Sequence, residues 1–518
     1  MEFESDVAII GAGMGGAAVG YMLAKAGYRT IFLEKGLAEF VESEPDDPDS
    51  LDQSQRLRNG RWPEQICGKV NAKLVRFFPA LGCGAGGSTL LYAAALERLS
   101  PQDFQAVDKD GSAAWPISYN QLEPFYQMAE RLLHVSGTQD PLQPDAEVND
   151  PPEMTECDRH FFSSTRSNGM HPYRVHTACK YIKGCGPCGG SICHKSCKQD
   201  ARRAFIEPAL ATGRVTLVDQ CVVERLNADR NGIKELHCTR NGEAIKVTAK
   251  LYVLAAGALS TPLLLLKSRN DHWPNGLANS SDLVGRNLMF HASDFFAVWP
   301  RGRTRVSSPG KSIAFRDFYV HRGVKLGVIQ STGLAATAGN ALHFLKSLID
   351  RKGINWLKPF KPLMRVPAGI GVFLYGKATI FASIIEDRPY PENRVKPHPD
   401  EPDTIYFEYT IHDELRERVQ RFRDLYRSAF KRHRMMLLGS DISLNYGHAC
   451  GTCRFGYDRS TAVLDSNNRA HDVPNLYVVD GSFFPTSGGA NPSLTIAANA
   501  LRVGAYMATE LNALSQLA

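Results

Sequence analysis

The stretch DVAIIGAGMGGAAVGYMLAKAGYRTIFLEKG, residues 6–36, decides the fold of this chain. Its apolar run 7–10 predicts a buried strand at the centre of a parallel sheet. Gly11, Gly13 and Gly16 follow with the spacing G-x-G-x-x-G. Their missing side chains allow a tight turn and let a pyrophosphate approach the backbone N–H groups closely. This strand and turn predict a dinucleotide-binding unit.

The residues after the glycine turn complete that unit. A helix is predicted over 17–26, ending at Gly27, and a second strand over 30–33. Glu34 follows, where a carboxylate accepts hydrogen bonds from ribose hydroxyls. Strand, turn, helix, strand and acid in this register predict an α/β fold with a Rossmann-like domain. The motif alone is compatible with FAD or NAD.

The composition narrows the class of protein. The 518 residues are 43% hydrophobic and 22% charged, which is typical of a globular enzyme. A net charge of +6 is a mild bias over this length, so no nucleic-acid partner is expected. The start, MEFESDVAII, is acidic where a signal peptide carries basic residues, so we expect a cytoplasmic, reducing location.

Two neighbouring segments bear on membrane contact. The more apolar one, 364–385, is interrupted by Pro367 and Lys377, so it is not expected to span a bilayer. Segment 346–365 carries six basic side chains and one acid. It fits peripheral contact with a membrane surface or an apolar substrate entrance. An ordinary solvated basic face fits it as well.

Six further segments resemble signatures of the glucose–methanol–choline (GMC) family of FAD-dependent oxidoreductases. They are GCGAGGSTLLYAAALERLSPQDF (82–104), YVLAAGALSTPLLLLKS (252–268), LVGRNLMFH (283–291), EDRPYPENRV (386–395), GHACGTCRFG (447–456) and NLYVVDGSFFPTSGGANPSLTIAANALRVGAYM (475–507). Together with the glycine turn they cover the whole chain.

The resemblance implies a Rossmann-like FAD-binding domain with an interleaved substrate domain built on an antiparallel sheet. The expected FAD-binding domain comprises 1–105, 200–290 and 445–518. The expected substrate domain comprises 106–199 and 291–444. The chain is therefore expected to cross between the domains several times.

The resemblance also implies that FAD is bound non-covalently. In some family members a histidine in the glycine segment is joined to the flavin. The matching position here is Leu90 or Leu91, and 82–95 contains no histidine. The implied FAD-binding residues, besides Gly11, Gly13, Gly16 and Glu34, are Gly86, Gly87, Ser88, Val223, Ala256, Gly257, Asp480, Gly481 and Pro492.

Oxidising an alcohol requires a base for the hydroxyl proton and an acceptor for the carbinol hydride, here the flavin N5. By resemblance, His448 occupies the family's catalytic histidine position and Asn491 the paired His/Asn position. An imidazole suits this task because its pKa lies near neutral pH. On the sequence alone, His448 is also compatible with a structural histidine. Asn491 and Pro492 are compatible with the N-cap and first residue of a helix over 493–506.

Five cysteines crowd residues 179–197. Cys188, Cys193 and Cys197 resemble the C-x4-C-x3-C arrangement of bacterial FAD-dependent glucose dehydrogenase catalytic subunits, which carry a [3Fe–4S] cluster; Cys185 is an additional candidate ligand. The resemblance implies electron transfer through such a cluster to a cytochrome. A tetrahedral zinc site and unmetallated thiols or disulfides are the alternatives.

The predicted function is FAD-dependent oxidation of a primary or secondary alcohol by a dehydrogenase that passes electrons to a carrier, a cytochrome or a quinone. The segment GGSTLLYAAALER (86–98) favours a sugar, polyol, cyclitol or glycoside hydroxyl. The apolar segment 364–385 favours a terpenoid, sterol or long-chain alcohol, which an O₂-dependent oxidase would take. A hydroxynitrile lyase with a structural flavin is the alternative from another class, since fold does not fix function.

Overall fold

A computed structural model describes most of the chain. The described residues are 1–40, 50–105, 115–185, 188, 190–193, 195–300, 310–333, 378–439 and 441–517. The basic segment 346–365 and residues 364–377 of the apolar segment lie outside them, whereas Thr379–Ile385 form a buried strand. Among the helices so described, none is long and apolar enough to cross a membrane.

The described elements alternate between strands and helices in the first part of the chain. The strands are β1 Glu2–Ile10, β2 Thr30–Leu33, β3 Ile66–Val70, β4 Lys73–Phe77, β5 Val135–Ser136, β6 Thr177–Ala178, β7 Val215–Val218, β8 Cys221–Asp229, β9 Gly232–Arg240, β10 Glu243–Leu254, β11 Met289–Ser293, β12 Phe295–Trp299, β13 Ala314–Phe315, β14 Val320–His321, β15 Val324–Lys325, β16 Gly327–Ser331, β17 Thr379–Ile385, β18 Arg394–Pro397, β19 Ile405–Tyr409, β20 Arg434–Leu437, β21 Ser443–Cys450 and β22 Leu476–Val478. The α-helices are α1 Met14–Lys25, α2 Gln53–Arg58, α3 Tyr119–Leu132, α4 Glu156–Ser167, α5 Glu207–Leu210, α6 Ser260–Lys267, α7 Asp413–Ala429 and α8 Ser493–Leu517. Single turns of 3₁₀ helix occupy Gly87–Leu90, Pro101–Phe104 and Gly481–Phe483, and a π-turn occupies Arg202–Ile206.

A seven-stranded sheet carries the dinucleotide motif. Its order is β7-β2-β1-β10-β9-β8, with β22 beside β10. β7, β2, β1, β10 and β22 run parallel, and β9 and β8 extend the sheet antiparallel. Val7 to Ile10 are at most 4% exposed, as a central strand requires, and α1 packs against α8. The predicted Rossmann-like arrangement is confirmed.

A second, antiparallel sheet lies over the first. Its order is β13-β16-β17-β11-β21, with β12 beside β17 and β20 beside β12. One face packs on α7, where the Phe296 and Tyr426 rings stack with centroids 4.4 Å apart. Val328 and Ile384, on the other face, belong to the core of the first sheet. This second face is therefore turned toward the core of the first sheet. A four-stranded sheet, β18-β19-β3-β4, completes the layer.

The bounds of several elements differ from the sequence expectation. Residues 215–225 are divided between β7 and β8 where Gln220 adopts a left-handed φ of 52°. The helix expected over 493–506 continues to Leu517. Helix α3, within the expected substrate-domain range 106–199, packs on α8 through a 2.8 Å hydrogen bond between Tyr126 Oη and Thr495 Oγ1. The domain boundaries themselves stay a prediction.

Candidate active site

Two glycines of the G-x-G-x-x-G turn, Gly11 and Gly16, are required by backbone packing within the protein. A Cβ on Gly11 would lie 2.5 Å from the carbonyl oxygen of Ala255, and one on Gly16 would lie 2.2 Å from that of Gly11. Gly11 also has a φ of 97°, which side-chain-bearing residues rarely adopt. These two positions let α1 pack directly against the strand ends of β1 and β10.

Gly13 differs from the other two glycines. The nearest atom to a Cβ built on it is the Cα of Gly87, at 3.8 Å, so the protein leaves room for a side chain there. Gly13 is the N-cap of α1 and, lacking a side chain, leaves the N–H groups of the first helical turn without a side-chain cap. The amide of Gly86 donates to the carbonyl of Ala12 at 2.8 Å and brings the 82–91 segment onto this turn. A cradle of this kind, formed by the N-terminus of a helix and a glycine turn, fits a pyrophosphate.

Glu34 shapes the turn from the end of β2. Its two carboxylate oxygens accept hydrogen bonds from the amides of Ala12 at 2.9 Å and Gly36 at 2.8 Å. The side chain is 6% exposed, and its burial raises the pKa of the carboxyl group. The sequence assigned Glu34 to the ribose hydroxyls. The structure shows in addition that it fixes the backbone on both sides of the dinucleotide turn.

Asp480 joins three elements at the ends of parallel strands. One carboxylate oxygen accepts from the Gly257 amide at 2.9 Å and the Thr261 hydroxyl at 2.5 Å. The other accepts from the amide of Ser482 at 2.8 Å. Both oxygens thus serve backbone positioning around Gly257, which has a φ of 90° and no atom within 4 Å of a Cβ built on it. Gly481 lies against β21, because its Cβ would fall 2.8 Å from the carbonyl oxygen of Ala449.

The other residues assigned to FAD have ordinary local roles. The hydroxyl of Ser88 accepts from the Gly82 amide at 3.2 Å and closes the 82–88 turn. Val223 is half-buried on β8, opposite Cys238. Ala256 lies between the end of β10 and Gly257.

His448 lies on β21, half-buried, and contacts the side of β11 that carries His291. Its Nδ1 is 3.1 Å from Nδ1 of His291 on β11, with the two rings edge to face. Nε2 of His291 lies 2.9 Å from the carbonyl oxygen of Gly488. Burial, followed by repulsion from His291, lowers the pKa of His448 well below its usual value. His448 is therefore a neutral imidazole at physiological pH.

Asn491 and Pro492 stand immediately before α8. Asn491 is 8% exposed and its Oδ1 has no hydrogen-bond partner among the described residues. The carbonyl of Pro492 accepts the first helical hydrogen bond from Ile496 at 3.0 Å. Since buried polar atoms are normally paired, the unpaired amide oxygen favours a ligand contact at Asn491.

Two polar side chains that the sequence did not single out share the face of His448. Ser293 follows His291 by two residues on β11, and Gln330 occupies the same face of β16 because its strand partner is Ala382. The hydroxyl of Ser293 and Oε1 of Gln330 have no partner in the described structure, although the residues are only 4% and 7% exposed. The sequence offered no signal for them, because pairing between distant strands places them together.

Family models described as GMC oxidoreductase match residues 65–293 and 389–500. The chain belongs to the GMC oxidoreductase family. The chain is 27% identical to 6'''-hydroxyparomomycin C oxidase of Streptomyces lividus, over 98% of this chain and 92% of the relative. It is 28% identical to 2-methyl-1,2-propanediol dehydrogenase of Mycolicibacterium austroafricanum, over 97% and 95%.

A solved GMC structure shares the whole fold. The crystal structure of pyridoxine 4-oxidase from Mesorbium loti superposes with a TM-score of 0.65 and 20% identity, covering 97% of this chain and 99% of that one. GMC oxidoreductases bind FAD, and the open cradle at Gly13 fits its pyrophosphate. The chain is therefore an FAD-dependent alcohol oxidoreductase of this family.

The five cysteines of residues 179–197 form two groups of thiols. Sγ of Cys179 lies 3.3 Å from that of Cys188, and Sγ of Cys197 lies 2.8 Å from that of Cys185 and 3.5 Å from that of Cys193. No disulfide joins any two cysteines of the described residues. Tetrahedral zinc with bonds of about 2.3 Å requires sulfurs about 3.8 Å apart. The 2.8 Å contact is too short for that.

The [3Fe–4S] cluster predicted for Cys188, Cys193 and Cys197 is not supported. Across the described ranges, no three His, Cys, Asp or Glu side chains are arranged to hold a metal ion. Cys188 is paired with Cys179 instead of completing a triad. The loop is anchored by buried Lys198, whose Nζ donates to the carbonyls of Ser191 at 2.5 Å and Leu90 at 2.6 Å. Lys198 therefore connects the cysteine loop to the glycine segment 82–91 through the carbonyl of Leu90.

Proposed function

We propose that this GMC oxidoreductase oxidises a primary or secondary hydroxyl of a sugar, polyol, cyclitol or glycoside, with His448 as the base. The observation that carries the proposal is the position of a neutral, half-buried imidazole on the sheet face that packs toward the core of the dinucleotide-binding sheet. His291 links that imidazole to Gly488, three residues before Asn491. His291 thus connects the proton acceptor, His448, to the loop that carries the unpaired amide oxygen of Asn491.

The reaction divides between the chain and its cofactor. FAD, held by the Gly11–Gly16 turn, the 86–88 turn and the Asp480 region, supplies the acceptor for the hydride when bound. His448 takes the hydroxyl proton, and its lowered pKa keeps the imidazole neutral and ready to accept. The amide of Asn491 hydrogen-bonds the substrate and holds the reacting carbon in place.

Ser293 and Gln330 favour one class of substrate, because each carries a buried polar atom without a partner in the described structure. A buried, unpaired polar atom costs about 1–3 kcal/mol unless a ligand pairs it. Two such atoms on the face of His448 favour a hydroxyl-rich substrate over a terpenoid, sterol or long-chain alcohol. The named substrate of the Mycolicibacterium relative, a propanediol, supports the same class.

The electron acceptor is the second part of the proposal. The dehydrogenase name of the Mycolicibacterium relative supports a carrier, a quinone or a cytochrome. The oxidase name of the Streptomyces relative favours O₂ as a second candidate. The absence of disulfides among the described cysteines supports work in a reducing compartment, the cytoplasm, which fractionation of the native host tests directly.

The experiment that tests the function is anaerobic mixing of the FAD-loaded enzyme with a panel of alcohols. We expect sugars and polyols to bleach the flavin and long-chain alcohols to do so poorly. His448→Ala should slow bleaching about 10²- to 10⁴-fold, whereas His237→Ala, at a histidine with a 47% exposed side chain, should not. Ser293→Ala and Gln330→Leu should each raise KM for polyols about tenfold and leave KM for ethanol unchanged.

Two outcomes would contradict the proposal. If no alcohol reduces the flavin, a lyase with a structural flavin becomes the better explanation. If long-chain alcohols react best, the polar sheet face does not contact the substrate. Reoxidation of the reduced enzyme by O₂ or by a quinone then separates an oxidase from a dehydrogenase.

A further inference from the structure

His291 contacts His448 and the loop that leads to Asn491 from a fully buried position. It is 0% exposed, on β11, and paired across the sheet with Asn445 of β21. Its Nδ1 is 3.1 Å from Nδ1 of His448, with ring centroids 5.1 Å apart and planes at 89°. Its Nε2 is 2.9 Å from the carbonyl oxygen of Gly488. No other role has been assigned to this side chain.

The hydrogen bonds determine which nitrogens carry protons. A carbonyl oxygen only accepts, so Nε2 of His291 must carry a hydrogen and donate to Gly488. A neutral imidazole has one N–H, which leaves a lone pair on Nδ1 of His291. Burial lowers the pKa of His291 to about 4, so the ring is neutral. Its Nδ1 therefore accepts a hydrogen bond from Nδ1–H of His448.

The same chain of bonds determines the state of the base. With its single hydrogen on Nδ1, neutral His448 has its lone pair on Nε2. We propose that His291 is a positioning residue that holds His448 in the Nδ1–H tautomer, so that Nε2 is the atom that accepts the substrate proton. This inference rests on the proposed function, because it assigns a task to a neighbour of the proposed base.

The link to Gly488 gives His291 a second positioning effect. The next residue, Gly489, is held by its amide to the hydroxyl of Tyr319 at 3.0 Å and by its carbonyl to the amide of Val328 at 3.0 Å. This loop leads directly to Asn491. His291 therefore fixes the base and the Asn491 loop relative to each other, as an orienting partner of a catalytic histidine does in other enzymes.

Two near-isosteric substitutions separate the two hydrogen bonds. His291→Asn places an amide oxygen near the former Nδ1, so it retains the acceptor for His448 and loses the bond to Gly488. His291→Gln places its amide nitrogen near the former Nε2, so it retains the bond to Gly488 and loses the acceptor. His291→Phe removes both. FAD content and melting temperature are measured for all three as controls of folding.

We expect kcat of His291→Asn to stay within about fivefold of wild type. His291→Gln and His291→Phe should each lose about 100-fold in kcat, the order of a general-base contribution, with KM changed less than about threefold. Equal losses in His291→Asn and His291→Phe would overturn the inference, and so would an unchanged kcat in His291→Phe. If His291 had a purely structural role, the losses in kcat would instead parallel the losses in melting temperature.

A spectroscopic measurement separates this inference from the proposed function. In the FAD-loaded enzyme labelled with ¹⁵N-histidine, the signals of His448 are those missing from His448→Asn. We expect the pattern of an Nδ1–H tautomer in the wild type and a mixed pattern in His291→Phe. An Nε2–H tautomer in the wild type would overturn the inference. Failure of every alcohol to react would overturn the proposed function alone, since the tautomer is read without substrate.

Discussion

At the scale of single residues, the environment of His448 predicts an unusual pH dependence. Burial and the adjacent His291 disfavour its protonated form, so its pKa lies well below the ordinary 6.5. A lower pKa means that the neutral base persists to lower pH. We therefore expect kcat/KM for a polyol to stay constant as the pH falls through 6.5 and to decline only in more acidic solution. A decline centred at 6.5 or above would contradict this environment.

Glycines 13 and 16 make contrasting predictions, although both belong to the same motif. Gly13→Ala meets no atom closer than 3.8 Å, so the apoprotein should melt within about 2 °C of wild type. Its new methyl group would fill the pyrophosphate cradle, so the Kd for FAD should rise at least tenfold. Isothermal titration of apoprotein with FAD measures this change. Normal FAD affinity in Gly13→Ala would show that the cradle is not the binding site.

Gly16→Ala is the matched control for that experiment. Its Cβ would lie 2.2 Å from the backbone oxygen of Gly11, so the strand end and helix must separate. We expect a loss of folded protein, seen as a lower melting temperature of the apoprotein. A stable Gly16→Ala variant would contradict the packing of α1 on β1.

At the scale of elements, Asp480 predicts a stability effect independent of the cofactor. It joins the turn before α6 to the turn after β22 by accepting from Gly257, Thr261 and Ser482. Asp480→Asn keeps one acceptor oxygen and turns an NH₂ group toward backbone donors. We expect a loss of about 2–3 kcal/mol in the free energy of unfolding, from urea titration of the apoprotein. Asp424→Asn, whose side chain is 63% exposed, should change it little.

The elements near the dinucleotide turn could be predicted from the sequence because their signals are local. The strand over Thr30–Leu33 was predicted at its observed bounds, and the turn and following helix were predicted within a few residues. The division between β7 and β8 could not be predicted, because nothing in the sequence marks Gln220 as a left-handed residue. The contact between His291 and His448 was missed for a different reason. It depends on the pairing of two strands 157 residues apart in sequence.

At the scale of the whole molecule, the same distinction explains what was predicted of the site. The family motifs indicated His448 and Asn491, but the polar face that favours a hydroxyl-rich substrate exists only once β11, β16, β17 and β21 form one sheet. Alternation along each strand then sends one set of side chains to α7 and the other toward the core of the first sheet. The proposed substrate class thus depends on side chains that only the folded sheet brings together, and no single segment of sequence contains them.

The cysteine loop gives a prediction for the molecule as an electron carrier. Because its thiols contact one another at 2.8–3.5 Å and no disulfide joins any two cysteines of the described residues, we expect twelve reactive thiols per chain after denaturation and less than about 0.1 iron per flavin. Cys193→Ser and the distant Cys238→Ser should then reduce an artificial acceptor equally fast. About three irons per flavin, with a slower Cys193→Ser enzyme, would show that the thiols separate around a cluster. In that case electrons leave FAD through the loop. Without iron they must pass directly from FAD to an acceptor that reaches the active site, which makes access to the face of His448 decisive for the choice between O₂ and a carrier.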